Sequence, residues 1–235
     1  LDEMQAELAA LDPFMLRRIP NFEPRRGPNV PSFMGCDAGR GLLFMPVRGG
    51  PSDVVQGWLR GLGQVERSFN QNSLRQWKRQ RPGHRSFTVL RHPLPRAWAA
   101  FQAMLTGANA ELRQAMRQVY RVNLPPDPEI GGMSPDDRIA RFAQFLDFLR
   151  RNLNGQTTMA VHPGWASQSE VLAGFARFAP PDLIVREERL AEDLGFIAAA
   201  AGVDAPAPGP APWPAFLNDK ALHRAAKAAY LRDYA

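Results

Sequence analysis

The sequence predicts an α/β fold with a central parallel sheet covered by helices on both faces. Three short apolar runs, at residues 41–47, 87–90 and 183–185, are each followed by a helical pattern. Strands that are buried on both faces are nearly continuous apolar runs, and strands that alternate with helices are typical of parallel sheets. A chain of 235 residues is long enough for one domain of this kind, which we place at residues 41–235.

The helices are predicted from apolar residues that recur at helical spacing. Residues 1–40 are predicted as an extension, with one short helix near the start and a loop rich in proline and arginine from residue 19 to 40. Ser134 is the expected N-cap of one later helix, because Pro135 takes its first position. Within the domain, we expect helices at residues 54–62, around 74–77, from 93 to about 120, and at 135–149, 169–178, 190–201 and 216–234. We expect a further short strand at residues 158–161. Residues 124–133 and 204–215 are predicted as proline-rich loop or extended chain.

Composition excludes several classes of protein. Apolar residues make up 45% and charged residues 22% of the chain, as in ordinary globular proteins, and no run of about 18 apolar residues could span a membrane. The amino terminus is acidic and lacks the basic and apolar regions of a secretory signal. The one cysteine, Cys36, allows no internal disulfide, and with the four histidines it has no zinc-ligand spacing. We therefore expect a soluble protein of the reducing cytoplasm that holds no metal.

The formal charge of +6 comes almost entirely from arginine. This bias either reflects the base composition of the genome or favours anionic partners, because guanidinium groups bind phosphate and sulfate through paired hydrogen bonds. A basic stretch at residues 75–85 is typical of a solvated helix face, but it would attract an anionic acceptor such as an acidic glycan if it bordered a cleft. The stretch lacks the series of interleaved aromatic residues that stack on bases, so we expect no nucleic-acid partner.

Two segments of this fold are suited to bind an anion. Arg91 lies at the carboxyl end of the strand at 87–90, directly before a helix that begins near Pro93. Helix N-termini and the carboxyl ends of parallel strands are the usual places where α/β folds bind phosphate. The strand at 41–47 is followed by a glycine-rich loop that opens a helix, namely Arg48, Gly49, Gly50, Pro51 and Ser52.

Each of these segments also has a plain structural interpretation. Arg91 could cap its strand or pair with a carboxylate. The loop could be a simple glycine turn, because Pro51 removes one N–H donor and Asp53 places a carboxylate where an anion would lie. The loop also lacks the GxxxxGK[ST] pattern of nucleotide-binding loops. Ser52 follows a strand and opens a helix, as in serine hydrolases, but Val54 takes the place of the second glycine of the G-x-S-x-G pattern.

Five segments, taken in order, resemble one family. LLFMPVRGGPSDVVQGWL resembles the 5′-phosphosulfate loop of the sulfotransferases that use 3′-phosphoadenosine 5′-phosphosulfate (PAPS), and FTVLRHPLPRAWAAF resembles their 3′-phosphate segment, V-R-x-P-x-x-R-x-x-S-A-F/Y. HPGWASQSEVL is similar to the H-x-W-x-P-Q stretch of the carbohydrate-sulfotransferase branch, IVREERLAEDLGFIAAAAGV to its strand–Glu–x–Leu–helix, and AAYLRDYA to its terminal Y-x-x-D-Y. The resemblance covers about residues 41–235.

The resemblance implies a helix-rich, P-loop-like sheet that holds PAPS between two loops. Residues 48–52 would hold the 5′ end of the donor, Arg91 would bind its 3′-phosphate, and Arg96 would support the helix start or the nucleotide. The implied reaction transfers a sulfuryl group to a hydroxyl of a carbohydrate or small metabolite, in a soluble, bacterial-type enzyme that needs no metal. Such a transfer requires positioning, an activated hydroxyl and cations on the leaving phosphate.

Three positions depart from the family pattern. The family lysine that faces the leaving group aligns with Val47, the serine that helps to bind the 3′-phosphate with Ala99, and a histidine before the central strand with Gln71. Arg48 could replace the lysine, although neighbouring residues of an extended segment point to opposite sides. Losing one such group commonly lowers a rate by about a hundred- to a thousandfold. The alternative is therefore a catalytically degenerate member that keeps the fold and binds a nucleotide, ligand or partner without transfer.

His162 is the main candidate for a general base or acceptor contact, because it follows the predicted strand at 158–161, among loops that converge on the active face. The plain alternative is a hydrogen-bonded loop histidine beside Trp165. His92 directly follows the strand-end arginine and could face the donor, whereas His84 precedes the central strand and is expected at the opposite end of the sheet. Glu188 matches the strand-end glutamate of the family, and it is either structural or orients a basic residue.

Overall fold

The computed structural model describes residues 33–178 and 180–234, so the short helix predicted near residue 1 lies outside the described residues. The strands in this part are β1 (Met34–Cys36), β2 (Leu42–Phe44), β3 (Val65–Glu66), β4 (Arg85–Leu90) and β5 (Leu183–Arg186). The helices are α1 (Ser52–Leu62), α2 (Gln71–Gln80), α3 (Pro93–Thr106), α4 (Ala110–Gln118), α5 (Pro135–Leu153), α6 (Gln168–Phe178), α7 (Leu190–Ala200), α8 (Lys220–Ala229) and α9 (Leu231–Tyr234). Short 3-10 turns lie at Asp127–Gly132, Glu187–Arg189 and Ala215–Asn218.

The chain divides into two compact units. We call residues 33–92 and 168–212 the sheet unit, because it holds all the strands that the structure describes, and residues 93–167 and 213–234 the helical unit. Within the described residues, neither unit has a helix that is long and apolar enough to cross a bilayer. The predicted boundaries, an extension at residues 1–40 and one domain at 41–235, stay predictions.

The sheet runs in the order β3–β1–β2–β4–β5. The central strand β4 pairs in parallel with β2, where Leu43 lies opposite Ser86, and with β5, where Val89 lies opposite Val185. β1 pairs antiparallel with β2 and β3. The predicted α/β fold with a parallel centre and flanking helices is confirmed. Because β2, β4 and β5 are parallel, their carboxyl ends meet at one edge of the sheet, which we call the carboxyl edge.

Helices α1 and α7 cover a buried face of the sheet. Phe87 and Val89 lie on the same face of β4 and form one core with Leu59 of α1 and Leu194 of α7. Alternate residues of a strand face opposite sides, so Thr88 faces the other side, where its hydroxyl donates to the carbonyl of residue 45 over 2.6 Å. The apolar core on one face and this hydrogen bond on the other hold β4 in place.

The predicted loop at residues 19–40 is wrong at residues 34–36, which form β1. A three-residue strand with a central glycine gives no apolar run and lacks the residue types that favour strands. Packing requires this glycine, because a Cβ on Gly35 would lie 2.6 Å from the indole of Trp77 in α2. The glycine in this strand is therefore explained by a contact with a distant helix, which no local sequence pattern reveals.

Helix α5 forms the centre of the helical unit. Ser134 caps it as predicted, because its Oγ accepts the Asp137 N–H over 3.1 Å. Trp165 packs edge-on against two phenylalanines of this helix, with ring centroids 5.6 and 6.0 Å apart. The helical spacing predicts an apolar face of Ile139, Phe142, Phe145, Leu146 and Leu149. The last four are buried, Ile139 is half-buried, and Phe148 is buried beside them.

Two helices predicted as continuous are interrupted by capping residues. The helix predicted from residue 93 to about 120 consists of α3 and α4, because the Asn109 side chain accepts the Leu112 N–H over 3.0 Å and starts a new helix. The terminal helix predicted at 216–234 is a 3-10 turn followed by α8 and α9. Asp219 starts α8 by accepting the Ala221 N–H over 2.6 Å.

The strand predicted at residues 158–161 is wrong, because this segment has no strand pairing. Asn152, near the end of α5, donates from its Nδ2 to the Met159 carbonyl over 2.8 Å and to the Thr157 hydroxyl over 2.8 Å. These bonds hold the segment against the end of α5. The Met159 carbonyl is thus satisfied by a side chain instead of by a neighbouring strand.

Asp127 joins two arginines of α4. Its carboxylate accepts from Arg113 Nη2 over 2.7 Å and from Arg117 Nη1 over 2.8 Å. These hydrogen bonds lower the pKa of Asp127 to about 2. The bonds connect α4 to the 3-10 turn at Asp127–Gly132 and fix the loop between them.

We expect Asp127→Asn to destabilise the protein at neutral pH and to have a smaller effect in acid. The pKa of Asp127 is lower in the folded than in the unfolded protein, so its contribution is present above the unfolded value of about 4 and disappears as the pH falls through about 2. Urea unfolding at pH 7 and at pH 3 measures the difference. Asp136→Asn, which removes an exposed carboxylate of α5, is the control, and a pH-independent effect of Asp127→Asn would contradict the prediction.

Candidate functional site

The chain turns sharply between β2 and α1. The Gly50 N–H donates to the Val47 carbonyl over 3.0 Å and closes a four-residue turn, in which Gly49 has a φ of 79°. This conformation favours glycine. A Cβ on Gly50 would lie 3.0 Å from the Val47 carbonyl oxygen and 3.3 Å from that of Val89. The two glycines therefore allow the turn, and they allow it to lie close to the end of β4.

Helix α1 begins directly after this turn, at the carboxyl edge. Pro51 is its N-cap residue, and no side chain of the described residues caps this end. The first intrahelical bond runs from the Val55 N–H to the Pro51 carbonyl, so the N–H groups of residues 52–54 form the positive end of the helix dipole. These donors could hold an anion, as predicted for residues 48–52, and the carboxylate of Asp53 in the same turn would compete with it.

Arg91 joins this turn to the end of β5. Its Nε and Nη2 donate to the two carboxylate oxygens of Glu187 over 2.7 and 2.8 Å, and its Nη1 donates to the Gly49 carbonyl over 3.3 Å. The Glu187 side chain is 4% exposed and that of Arg91 is 21% exposed. Arg91 thus pairs with a carboxylate, as one of its two interpretations predicts, and it also contacts the glycine turn. Its binding of a 3′-phosphate stays a prediction.

Gln168 fixes the backbone of Arg91. Its Oε1 accepts the Arg91 N–H over 3.1 Å, and its Nε2 donates to the Arg91 carbonyl over 2.8 Å. One side-chain amide therefore satisfies both backbone groups of the residue that follows β4. Gln168 ends the HPGWASQ stretch, so the sequence marks this residue but gives no sign of its partner.

The glutamate that pairs with Arg91 is Glu187 and not Glu188, and the match of Glu188 to the strand-end glutamate of the family stays a prediction. Glu187 is buried beside Arg91, whereas Glu188 is exposed. The spacing Glu–x–Leu favours Glu188 in the sequence. The side chain that faces Arg91 is decided by the 3-10 turn at Glu187–Arg189, which no residue pattern indicates.

The positions that depart from the family pattern carry no charge in the structure. Val47, which the resemblance aligns with the family lysine, is 1% exposed, and Arg48 beside it is exposed. Gln71 is the first residue of α2, and Ala99 is half-buried in α3. Arg48 is the cation of the turn itself. Among the described residues, no group of three or more His, Cys, Asp or Glu side chains could hold a metal ion.

In the helical unit, two buried side chains hold the loop at residues 162–166. The guanidinium of Arg96 donates to the carbonyls of Pro163 and Ala166, and the Tyr230 hydroxyl donates to the Trp165 carbonyl over 3.0 Å. Burial raises the pKa of Tyr230, so its hydroxyl stays protonated. Arg96 therefore supports this loop, and its predicted contact with a nucleotide stays a prediction.

His162 is a hydrogen-bonded loop residue beside Trp165, with ring centroids 4.7 Å apart. Its Nδ1 accepts the Gly164 N–H over 3.0 Å. A neutral imidazole that accepts at Nδ1 carries its proton on Nε2, so Nε2 is a donor in this arrangement. To accept a proton at Nε2, the ring would have to give up the bond to Gly164. The role of His162 as a general base or acceptor contact stays a prediction, and so does the role of His92.

The basic stretch lies at the amino end of β4. Arg85 begins this strand opposite Leu42, and the Arg81 guanidinium lies over Trp77 of α2, 4.8 Å from the ring centroid. The six residue steps from Arg85 to Arg91 span about 20 Å of extended chain. These two cations are therefore remote from the carboxyl edge. His84, whose Nδ1 lies 2.8 Å from the carbonyl of residue 81, is at this same end, as predicted.

The comparisons with known proteins agree with this architecture. A sequence profile described as the sulfotransferase family matches residues 60–224, which is more than half of the chain. The match begins inside α1 and includes β4, Arg91, Gln168 and Glu187. No curated protein sequence and no solved structure matches significantly. The extent of the profile match shows that this chain belongs to the sulfotransferase family.

Proposed function

We propose that this protein transfers a sulfuryl group from PAPS to a hydroxyl of a carbohydrate or small metabolite. The observation that carries the proposal is the contact between Arg91 and the Gly49 carbonyl. It joins the two segments that separately resemble the donor-binding segments of the family. Family membership supports sulfuryl transfer in general, and this contact supports a nucleotide donor with two phosphate groups.

The residues at the carboxyl edge suit such a donor. The N-terminus of α1 has no side-chain cap, so the N–H groups of residues 52–54 are suited to hold the 5′ end. A guanidinium has five N–H bonds. Glu187 and the Gly49 carbonyl engage three of those of Arg91, which leaves one on Nη1 and one on Nη2 for a 3′-phosphate.

The remaining candidates have roles that follow from their chemistry. When bound, PAPS supplies the sulfuryl group, whose bond to the acceptor oxygen forms while its bond to the 5′-phosphate breaks. Arg48 would offset the charge that develops on the leaving phosphate. Arg96 would hold the loop at residues 162–166, and His162 in that loop would contact the acceptor hydroxyl, whose proton must pass to a base.

Calorimetry with the desulfated nucleotide, 3′-phosphoadenosine 5′-phosphate (PAP), tests donor binding directly. We expect binding at micromolar to millimolar concentration, and loss of binding in Arg91→Ala combined with Glu187→Gln, which removes the cation without leaving its carboxylate unpaired. Transfer of labelled sulfate from PAPS to a panel of carbohydrate and small hydroxyl acceptors tests the reaction. Failure of the wild-type protein to bind PAP at millimolar concentration would refute the proposal.

The buried Val47 favours a second candidate function, which is ligand binding without catalysis. Val47, which the resemblance aligns with the family lysine, is an apolar side chain that is 1% exposed, and Nδ1 of His162 accepts the Gly164 N–H. A protein that binds PAP tightly and transfers no sulfate to any acceptor of the panel would support this alternative. Transfer to any acceptor would exclude it.

A further inference from the structure

Arg91 and Glu187 directly follow two neighbouring strands. Leu90 of β4 lies opposite Arg186 of β5 in parallel register, so Arg91 and Glu187 are the next residues along each strand. Their side chains meet through two hydrogen bonds of 2.7 and 2.8 Å. A contact between the residues that directly follow two paired strands is held close to the strand ladder, and it does not depend on a long loop.

Glu187 occupies only one edge of the guanidinium. It takes Nε and Nη2, and the Gly49 carbonyl accepts from Nη1. The remaining hydrogens lie on the Nη1 and Nη2 atoms, at the end of a side chain that is still 21% exposed. Guanidinium groups bind phosphate through such a pair of parallel N–H bonds. The Glu187 carboxylate therefore does not occupy the Nη1 and Nη2 hydrogens that a phosphate requires.

The pair also removes the freedom of a flexible side chain. An unrestrained arginine side chain loses conformational entropy when it is fixed. Here the carboxylate fixes the guanidinium, and Gln168 fixes the backbone on both sides of the same residue. A ligand that meets a fixed group pays less entropy on binding. Glu187 is itself nearly buried, so its own position is fixed by packing.

From these contacts we propose that Glu187 is a positioning residue that orients Arg91 toward the 3′-phosphate, and so sets the preference for a 3′-phosphorylated nucleotide. The inference rests on the proposed function, since it concerns the same nucleotide. It makes a distinct prediction, because Glu187 acts only through Arg91. Its loss should weaken binding of PAP and leave binding of adenosine 5′-phosphate, which has no 3′-phosphate, unchanged.

The test measures the affinities of PAP and adenosine 5′-phosphate in Glu187→Gln. We expect the ratio of the two affinities to fall about tenfold, which corresponds to the loss of about one hydrogen bond to a charged group. Glu188→Gln is the matched control, because it removes the same charge from the neighbouring, exposed position. It should leave the ratio unchanged. Circular dichroism and thermal unfolding establish that both variants are folded.

Glu187→Asp covers the case in which Glu187→Gln does not fold. It keeps the charge but withdraws the carboxylate by one methylene. If Glu187 orients Arg91, the ratio of the affinities for PAP and adenosine 5′-phosphate should fall. If Glu187 acts only through its charge, the ratio should equal that of the wild-type protein. Equal weakening of both ligands, or an unchanged ratio in a folded variant, would overturn the inference alone. Absence of PAP binding by the wild-type protein would overturn the proposed function as well, so the two failures are distinguishable.

Discussion

Arg91→Ala is expected to lower the free energy of unfolding by about 3 kcal/mol, because it leaves the Glu187 carboxylate buried without its cation. The carboxylate is 4% exposed and accepts two hydrogen bonds from Arg91. Breaking one half of a buried ion pair costs about 3–5 kcal/mol, and the partial exposure of Arg91 places the expected value at the lower end. Urea unfolding followed by tryptophan fluorescence measures it.

Two further variants separate this effect from simple loss of a charge. Combining Arg91→Ala with Glu187→Gln should recover a large part of the stability, because the remaining side chain is neutral. Arg189→Ala removes an arginine that is 59% exposed and pairs with Glu192, so its effect should be much smaller. If Arg91→Ala costs no more than Arg189→Ala, water reaches Glu187 and the pair is not a buried one.

The expected loss of stability in Arg91→Ala affects the test of PAP binding. Loss of PAP binding by Arg91→Ala alone would be ambiguous, because an unfolded fraction also binds nothing. The compensated pair of substitutions removes this ambiguity. Arg91 therefore has a structural role that is separable from its proposed role as a ligand contact.

The sheet was predictable because its central strands are apolar runs that need no distant partner to be recognised. Residues 87–90 are almost entirely apolar, and they form the larger part of β4. β1 was not predictable, since its Gly35 is explained only by the indole of Trp77. The helix breaks at Asn109 and Asp219 were missed for a different reason, because here a local signal exists. Capping residues signal them, but the apolar spacing continues across the break and favours one helix.

The site was predictable as a set of segments, and not as a set of contacts. Arg91 could be placed at a strand end from the sequence, and Gly49 in a loop before a helix. Glu187 and Gln168 meet Arg91 across 96 and 77 positions of the chain, and sequence spacing carries no information about such pairs. The hydrogen bond that His162 Nδ1 accepts from the Gly164 N–H is likewise not marked in the sequence.

Arg48→Ala is expected to lower the turnover number for sulfate transfer by about a hundred- to a thousandfold, with little change in the KM for PAPS. Val47 is buried, so the exposed Arg48 is the cation that the turn offers to a leaving phosphate. Charge on that phosphate grows as the bond to sulfur breaks, and a group that acts on developing charge lowers the barrier more than it strengthens ground-state binding. Initial rates at several PAPS concentrations separate the two constants.

Arg79→Ala is the matched control for Arg48→Ala, because it removes another exposed arginine of the same unit, from α2. Both variants lower the net charge by one, so a general electrostatic attraction for the anionic donor would affect them alike and would raise KM. An effect confined to Arg48 and to the turnover number identifies a local action on the leaving group. A turnover number for Arg48→Ala within threefold of the wild-type value would contradict that role. Arg48 would then not replace the lysine that the family pattern has at the position of Val47.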